Sequence, residues 1–211
     1  MAWFRGLQRF RHSRGYGVHS PFAFNLIRKV LRSNDHFYAF EELAAQIPAN
    51  YPEISPAPHL NRLAFRIVRH CEAKEVLEIN SGVGVTTLYL LSTNRGIHCT
   101  CVEKRSGLAA MAGELIATRS NQCTMLSLLP QGKTYDAMMI HLDEEPAPSS
   151  DSLIHLSRDG TFWLIHPVNT ARGKQFWHNI VIDERFGVTF DMNDIGIAFV
   201  KKSCSKLHYD L

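Results

Sequence analysis

The chain has 211 residues, of which 45% are hydrophobic and 20% are charged, and it carries a formal net charge of +3 at pH 7. These values match an ordinary soluble protein with one full hydrophobic core. No apolar run approaches the roughly 20 residues of a membrane span, and the first residues lack the apolar centre of a signal peptide, so we expect a cytoplasmic protein that does not enter a membrane.

The positive charge is concentrated near the amino end of the chain. Seven basic residues precede the first acid, Asp35, and they are Arg5, Arg9, Arg11, Arg14, Arg28, Lys29 and Arg32. A basic arm can bind nucleic acid or a membrane surface, and it can equally be a solvated flank that docks on an acidic part of its own fold. The pattern leaves these alternatives open.

Residues 1–58 are irregular in pattern and contain several turn signals. One helix is predicted after Ser20-Pro21, because serine is a good N-cap and proline suits the first helical position. After Pro58, apolar residues at helical spacing predict an amphipathic helix: Leu60, Leu63, Ala64, Ile67 and Val68. We therefore divide the chain into an N-terminal helical cap or extension, residues 1–58, expected over the carboxyl ends of the strands, and a domain of residues 59–211.

From there strand and helix patterns alternate. Strands are predicted at 75–79, 97–103, 123–128, 136–141 and 161–166, and helices at 85–93, 106–118, about 149–157 and 172–184. Such alternation predicts an α/β fold, with a parallel sheet covered by helices on both faces. Two further strands, 187–192 and 195–200, are too close in sequence to be anything but antiparallel. The five cysteines lack CxxC spacing and are interpreted as free thiols, with Cys99 and Cys101 expected on opposite faces of a strand.

Residues 76–86 carry the strongest functional signal. An apolar strand ends at a turn of small residues, and a helix follows it. Backbone N–H groups point outward from such a turn, and a ligand can approach it without meeting Cβ atoms, which predicts a nucleotide-like cofactor. Glu78 at the strand end would repel a pyrophosphate but attract an amino-acid ammonium group. Thr87 stands where a dinucleotide fingerprint needs its third glycine, so both features favour S-adenosylmethionine.

This loop resembles that of the class I S-adenosylmethionine-dependent methyltransferases, most closely the small O-methyltransferase-like branch with the pattern Glu-x-Gly-x-x-x-Gly-x-Ser/Thr. Glu78, Gly84 and Thr86 match it, and Asn80 stands where the family has its first glycine. Asparagine tolerates positive φ better than other non-glycine residues, so the turn can survive. The resemblance implies a Rossmann-like sheet of order 3-2-1-4-5-7-6 with strand 7 antiparallel, S-adenosylmethionine as cofactor, and a small-molecule methyl acceptor.

Ligands of open α/β sheets bind beyond the carboxyl ends of the strands. Glu103 ends the second strand, where a carboxylate can accept hydrogen bonds from both ribose hydroxyls, and the resemblance implies the same role. The alternative is an acid that is merely exposed at a strand terminus. Ser127, near the end of the third strand, is a weaker candidate for contact with adenine. The candidate cofactor-binding residues are Glu78, Asn80, Ser81, Gly82, Gly84, Thr86, Glu103 and Ser127.

The catalytic end departs from the family. Metal-dependent members carry acidic residues at the ends of the fourth and fifth strands, where this chain has His141 and His166. Three interpretations remain open. His141, Asp143 and His166 could ligate a transition metal, one histidine could be the general base of a metal-free methyl transfer, or the site could be degenerate. We select His141, Asp143 and His166 as candidate catalytic residues and assign no metal.

A second resemblance spans nearly the whole chain. The segment Tyr16–Phe22, Tyr-Gly-x-His-Ser-Pro-Phe, and the later Asp191–Gly196 are similar to elements of a group of bacterial methyltransferase-like proteins. The favoured function is methyl transfer to a small-molecule nucleophile. The first alternative is a cofactor-binding or interaction protein that has lost its chemistry. A third option, an RNA methyltransferase that uses the basic arm, is disfavoured because no Asn/Asp-Pro-Pro-Tyr/Phe motif follows the fourth strand.

Overall fold

A computed structural model of the protein describes residues 20–33, 37–47, 58–142, 148–201 and 206–211. Asp143, the segment from Tyr16 to His19 and the arginines before it lie outside these ranges. Within them, no helix is long and apolar enough to cross a membrane.

The core of the fold is one sheet, which has eight strands within the described ranges, in the order β3-β2-β1-β4-β5-β7-β6-β8. The strands are β1 Glu75–Ile79, β2 His98–Val102, β3 Cys123–Leu126, β4 Tyr135–His141, β5 Ser157–His166, β6 Phe186–Asp191, β7 Gly196–Val200 and β8 Leu207–Asp210. β7 is antiparallel to β5 and β6, and the other pairs are parallel. The predicted order and the antiparallel seventh strand are confirmed, and β8 extends the sheet by one strand.

Seven α-helices accompany the sheet in the part of the chain that the structure describes. They are α1 Pro21–Leu26, α2 Ala39–Gln46, α3 Pro58–His70, α4 Val85–Leu91, α5 Ser106–Leu115, α6 Ser150–Ile154 and α7 Ala171–Ile182. A π-helical turn, Ile27–Leu31, continues α1. The Ser20 hydroxyl accepts a hydrogen bond from the Ala23 amide at 3.3 Å, and Pro21 opens α1, as the sequence predicted.

The two faces of the sheet bury separate hydrophobic clusters. Successive residues of a strand point to opposite faces, so Phe162 and Leu164 belong to one cluster and Trp163 and Ile165 to the other. Residues of α1 to α4 pack in the first cluster, and residues of α6 and α7 pack in the second. Both Cys99 and Cys101 lie in the first cluster. The expectation that they point to opposite faces was wrong, because side chains two residues apart on a strand share a face.

The described helices before residue 58 lie on the first face of the sheet, not over the carboxyl ends of the strands as predicted. The Phe22 ring of α1 packs edge-on against the Phe199 ring of β7, with the ring centroids 4.9 Å apart. Phe199 pairs with Phe162, four residues before the carboxyl end of β5. Phe40 of α2 contacts Tyr89 of α4 on the same side. The division of the chain at residue 58 stays a prediction.

Candidate active site

The turn between β1 and α4 contains three residues with left-handed backbone: Asn80 (φ 57°), Gly82 (φ 58°) and Gly84 (φ 79°). Glycine adopts this conformation without steric cost, and asparagine tolerates it. A Cβ at Gly84 would lie 3.0 Å from the Ala112 Cβ, so glycine there lets α4 begin against α5. At Gly82 no atom lies within 4 Å of the position that a Cβ would take, which leaves open space beside the turn. The Asn80 side-chain amide donates to the His141 carbonyl oxygen at 2.9 Å and ties the turn to β4.

The two hydroxyl side chains predicted to bind the cofactor in this region differ in their contacts. Ser81 is 7% exposed, and its Oγ is buried without a hydrogen-bond partner among the described residues. Buried hydroxyls normally have a hydrogen-bond partner, so the Ser81 hydroxyl marks a position where a ligand atom can supply one. The Thr86 hydroxyl, in contrast, donates to Asn61 Oδ1 at 2.9 Å inside the contact between α3 and α4. Ser127 is exposed beyond β3.

Glu78 is fully buried, and its carboxylate is directed into the fold. One oxygen, Oε2, accepts a hydrogen bond from the Thr87 hydroxyl at 2.6 Å. The other, Oε1, lies 3.0 Å from His141 Nε2. In the sequence, Thr87 was notable only because it replaces the third glycine of a dinucleotide fingerprint. In the structure its hydroxyl holds the Glu78 carboxylate in place. Glu78 in turn orients His141, whose side chain is 15% exposed.

Glu103, at the carboxyl end of β2, has a side chain that is only 1% exposed. Its Oε1 accepts hydrogen bonds from the Arg105 amide at 3.0 Å and from Arg105 Nε at 2.8 Å. Its Oε2 accepts from the Gly82 amide at 2.8 Å and from an Arg105 terminal nitrogen at 3.0 Å. Burial raises the pKa of the carboxyl, but these hydrogen bonds and the arginine charge outweigh burial and leave the pKa below its ordinary value.

The other half of the carboxyl edge carries a row of imidazoles and carboxylates. His141 and His166 are register partners on the adjacent strands β4 and β5. His166 Nε2 lies 3.8 Å from Asp194 Oδ2, and His59 Nε2 lies 2.8 Å from the same oxygen. His59 belongs to the first turn of α3, and Asp194 lies between β6 and β7. Neighbouring strands are about 4.8 Å apart, so the ends of β4 and β5 bring His141, which contacts Glu78, next to His166.

Comparison with known proteins gives matches of structure alone. No family model matches the sequence, and no curated protein matches it. An O-methyltransferase from Bacillus cereus in complex with SAH, S-adenosylhomocysteine, is similar over 83% of this chain and 96% of its own, with 19% identity and a TM-score of 0.58. TomG, an O-methyltransferase from Streptomyces achromogenes involved in tomaymycin synthesis and solved in complex with SAM, S-adenosylmethionine, covers 80% of this chain and 92% of its own (14% identity, TM-score 0.58).

A third structure, the SAH-bound methyltransferase PaMTH1 from Podospora anserina, matches 83% of this chain and 93% of its own at 12% identity, with a TM-score of 0.59. The strand order and the antiparallel β7 agree with these likenesses. The fold is that of the class I methyltransferases. The fold that the resemblance of the glycine-containing turn implied is thereby confirmed.

The methyltransferase fold divides the predicted site residues into two groups. Ser81, Gly82, Gly84 and Glu103 surround the turn between β1 and α4, while His141 and His166 meet at the ends of β4 and β5. Glu78 connects the groups through its contact with His141. Asp143 lies outside the described ranges, so it is placed in neither group.

Three neighbours of the predicted site residues, His59, Asp194 and Arg105, were not identified from the sequence. His59 and Asp194 are 135 residues apart, and no spacing rule connects them. Arg105 did carry a signal, because a basic residue two positions after a strand-end acid can fold back onto it. Among the described residues, no group of three or more His, Cys, Asp or Glu side chains could hold a metal ion.

The Glu103–Arg105 pair makes a pH-dependent contribution to stability. At pH 7, Arg105→Ala should lower the free energy of unfolding by on the order of 1 kcal/mol, because the buried carboxylate loses charge-assisted hydrogen bonds. The folded-state pKa of Glu103 is lowered, so this contribution is present above the pKa of an unfolded glutamate, about 4.3, and is lost as the pH falls through the folded value. Urea denaturation at pH 7 and pH 3 should show a smaller difference between wild type and variant at pH 3. The exposed neighbour Lys104→Ala is the control, and a difference that does not change with pH would contradict the assignment.

Proposed function

We propose that this protein is a SAM-dependent methyltransferase that acts on a small-molecule nucleophile. The observation that carries the proposal is the buried Ser81 hydroxyl, which has no described partner and lies inside the glycine turn of a methyltransferase fold. Open space beside Gly82 and a carboxylate at the end of β2 fit the same ligand. The SAM and SAH complexes of the structural neighbours support this choice of cofactor.

SAM, when bound, supplies a methyl group activated by its sulfonium. The chain must then orient an acceptor hydroxyl and remove one proton. The contact between His141 Nε2 and Glu78 favours the tautomer in which Nε2 carries the hydrogen, because an ionised carboxylate only accepts hydrogen bonds. Nδ1 of His141 is then the basic nitrogen. A neutral imidazole oriented by a buried acid suits a general base.

This geometry favours metal-free catalysis over the alternative with a metal bound to His141, Asp143 and His166. Nε2 of His141 is already in contact with Glu78, and Asp194, which lies 3.8 Å from His166 Nε2, also contacts His59. The RNA methyltransferase option depends on the basic arm, most of which lies outside the described ranges. It stays a prediction without structural support.

The second candidate function is a methyltransferase-like protein that does not catalyse methyl transfer. Two features of the buried acids favour it. Glu78 is turned into the fold instead of toward a ligand, and the carboxylate oxygens of Glu103 are both bonded to protein groups. SAH binding without any rate of methyl transfer would support this candidate.

The cofactor proposal is tested by calorimetry with SAM and SAH. Ser81→Ala should weaken SAH binding about fivefold, because one hydrogen bond of about 1 kcal/mol is lost. The same change should leave the free protein equally stable or slightly more stable, since it removes an unpaired buried hydroxyl.

Ser92→Ala is the matched control. The Ser92 hydroxyl donates to the Leu88 carbonyl at 2.7 Å and accepts from Arg119 at 2.6 Å, so its loss should reduce stability and leave SAH affinity unchanged. Equal SAH affinity of wild type and Ser81→Ala, with lowered stability of the variant, would contradict a ligand contact at Ser81.

A further inference from the structure

The Arg105 side chain covers the acid that the sequence assigned to the cofactor ribose. The Glu103 side chain is 1% exposed, whereas that of Arg105 is 29% exposed. No ligand can reach the Glu103 carboxylate while the guanidinium stays in this position. The cover is local, because Arg105 is the residue that immediately precedes α5 and folds back onto the end of β2.

The four hydrogen bonds to Glu103 use the full acceptor capacity of a carboxylate, which is about four lone-pair sites. Two come from backbone amides, of Gly82 and Arg105, which the turn and the start of α5 fix. The other two come from Arg105 Nε and a terminal guanidinium nitrogen, and they take one site on each oxygen. Two vicinal ribose hydroxyls would need the same pair of sites.

We infer that Arg105 occupies the ribose position of the proposed cofactor site and sets cofactor affinity, because it must leave Glu103 before the ribose of SAM or SAH can bind there. This inference rests on the proposed function. The guanidinium sits at the end of a long side chain that is 29% exposed, so water can solvate it once it is released. The two backbone amides remain and keep the carboxylate ionised and oriented.

The inference predicts that removal of the competitor strengthens binding. Arg105→Ala should bind SAH about tenfold more tightly than wild type by calorimetry. Lys104→Ala removes a neighbouring exposed cation, whereas the hydrogen bonds that hold Glu103 come from Gly82 and Arg105, so it should change SAH affinity less than twofold. Arg105→Lys keeps the charge but loses the planar fork, so it should give a smaller gain, about threefold.

A double-mutant cycle distinguishes competition from a general charge effect. In wild type, Glu103→Ala removes both the ribose acceptor and the partner of Arg105, so its cost in SAH affinity should be less than tenfold. In the Arg105→Ala background there is no guanidinium to be released from competition, so Glu103→Ala only removes the ribose acceptor and should weaken SAH binding about a hundredfold. The two changes are therefore expected to be strongly non-additive.

If wild type binds SAH, then unchanged or weaker SAH binding by both Arg105→Ala and Arg105→Lys, in variants that unfold cooperatively, would overturn the inference. Additive effects in the cycle would also overturn it. Failure of wild type and of Arg105→Ala to bind either SAM or SAH at millimolar concentration would instead refute the proposed function, and the inference with it.

Discussion

His141→Gln should lower the rate of methyl transfer by about a hundredfold or more and leave SAH affinity within about twofold of wild type. Glutamine can keep a hydrogen bond to Glu78 Oε1, which lies 3.0 Å from the imidazole, but it has no basic nitrogen. General bases contribute typically 10²–10⁴-fold to a rate, so their loss is a large effect. The measurement is the single-turnover rate of SAH formation with an acceptor found by screening hydroxylated small molecules.

His166→Gln is the matched comparison for this prediction. His166 is the register partner of His141, but the contact with the buried acid Glu78 belongs to His141, and His166 Nε2 faces Asp194, which also contacts His59. We expect its substitution to cost less than tenfold in the same rate. Equal rates for wild type and His141→Gln would contradict the general-base role. A rate that a chelator abolishes and a divalent metal restores would favour the metal interpretation instead.

The fold could be predicted because its signal is local and repeated. Each apolar run of the sheet is bounded by turn residues, and alternation with helices fixes a parallel sheet. β8 escaped prediction because it is only four residues long, Leu207–Asp210, and half of it is polar. The position of α1 escaped prediction for a different reason. An amphipathic pattern shows that a helix has an apolar side but does not identify the surface that it covers.

The candidate site was predictable in its positions and not in its contacts. Strand ends identified Glu78 and Glu103, because ligands of such sheets bind there. Their partners depend on distances in space, and Glu78 meets His141 across 63 residues of sequence. From the sequence, a ligand was expected beside both acids, whereas in the structure Thr87, His141 and Arg105 lie there. Burial explains this difference, since an acid enclosed by a fold needs hydrogen-bond donors of its own.

Gly173→Ala should lower the free energy of unfolding by about 2–3 kcal/mol, which for a chain of this size corresponds to a melting temperature lower by roughly 4–12 °C. Gly173 lies in the first turn of α7, where its amide donates to the Thr170 hydroxyl at 3.0 Å. A Cβ there would lie 2.9 Å from the Val168 Cα and closer still to the Pro167 carbonyl oxygen. Both are backbone atoms of the loop that follows His166, so neither can move aside as a side chain would.

Gly113→Ala provides the opposite expectation within the same chain. Gly113 lies in α5, is exposed, and has no atom within 4 Å of the position that a Cβ would take. Alanine there reduces the conformational freedom of the unfolded chain at no steric cost and should raise stability by roughly 0.5–1 kcal/mol. Thermal and urea denaturation of the two variants should therefore shift in opposite directions. A Gly173→Ala protein as stable as wild type would show that the backbone of the loop after β5 can shift to make room for the methyl group. The position of His166 would then be adjustable as well.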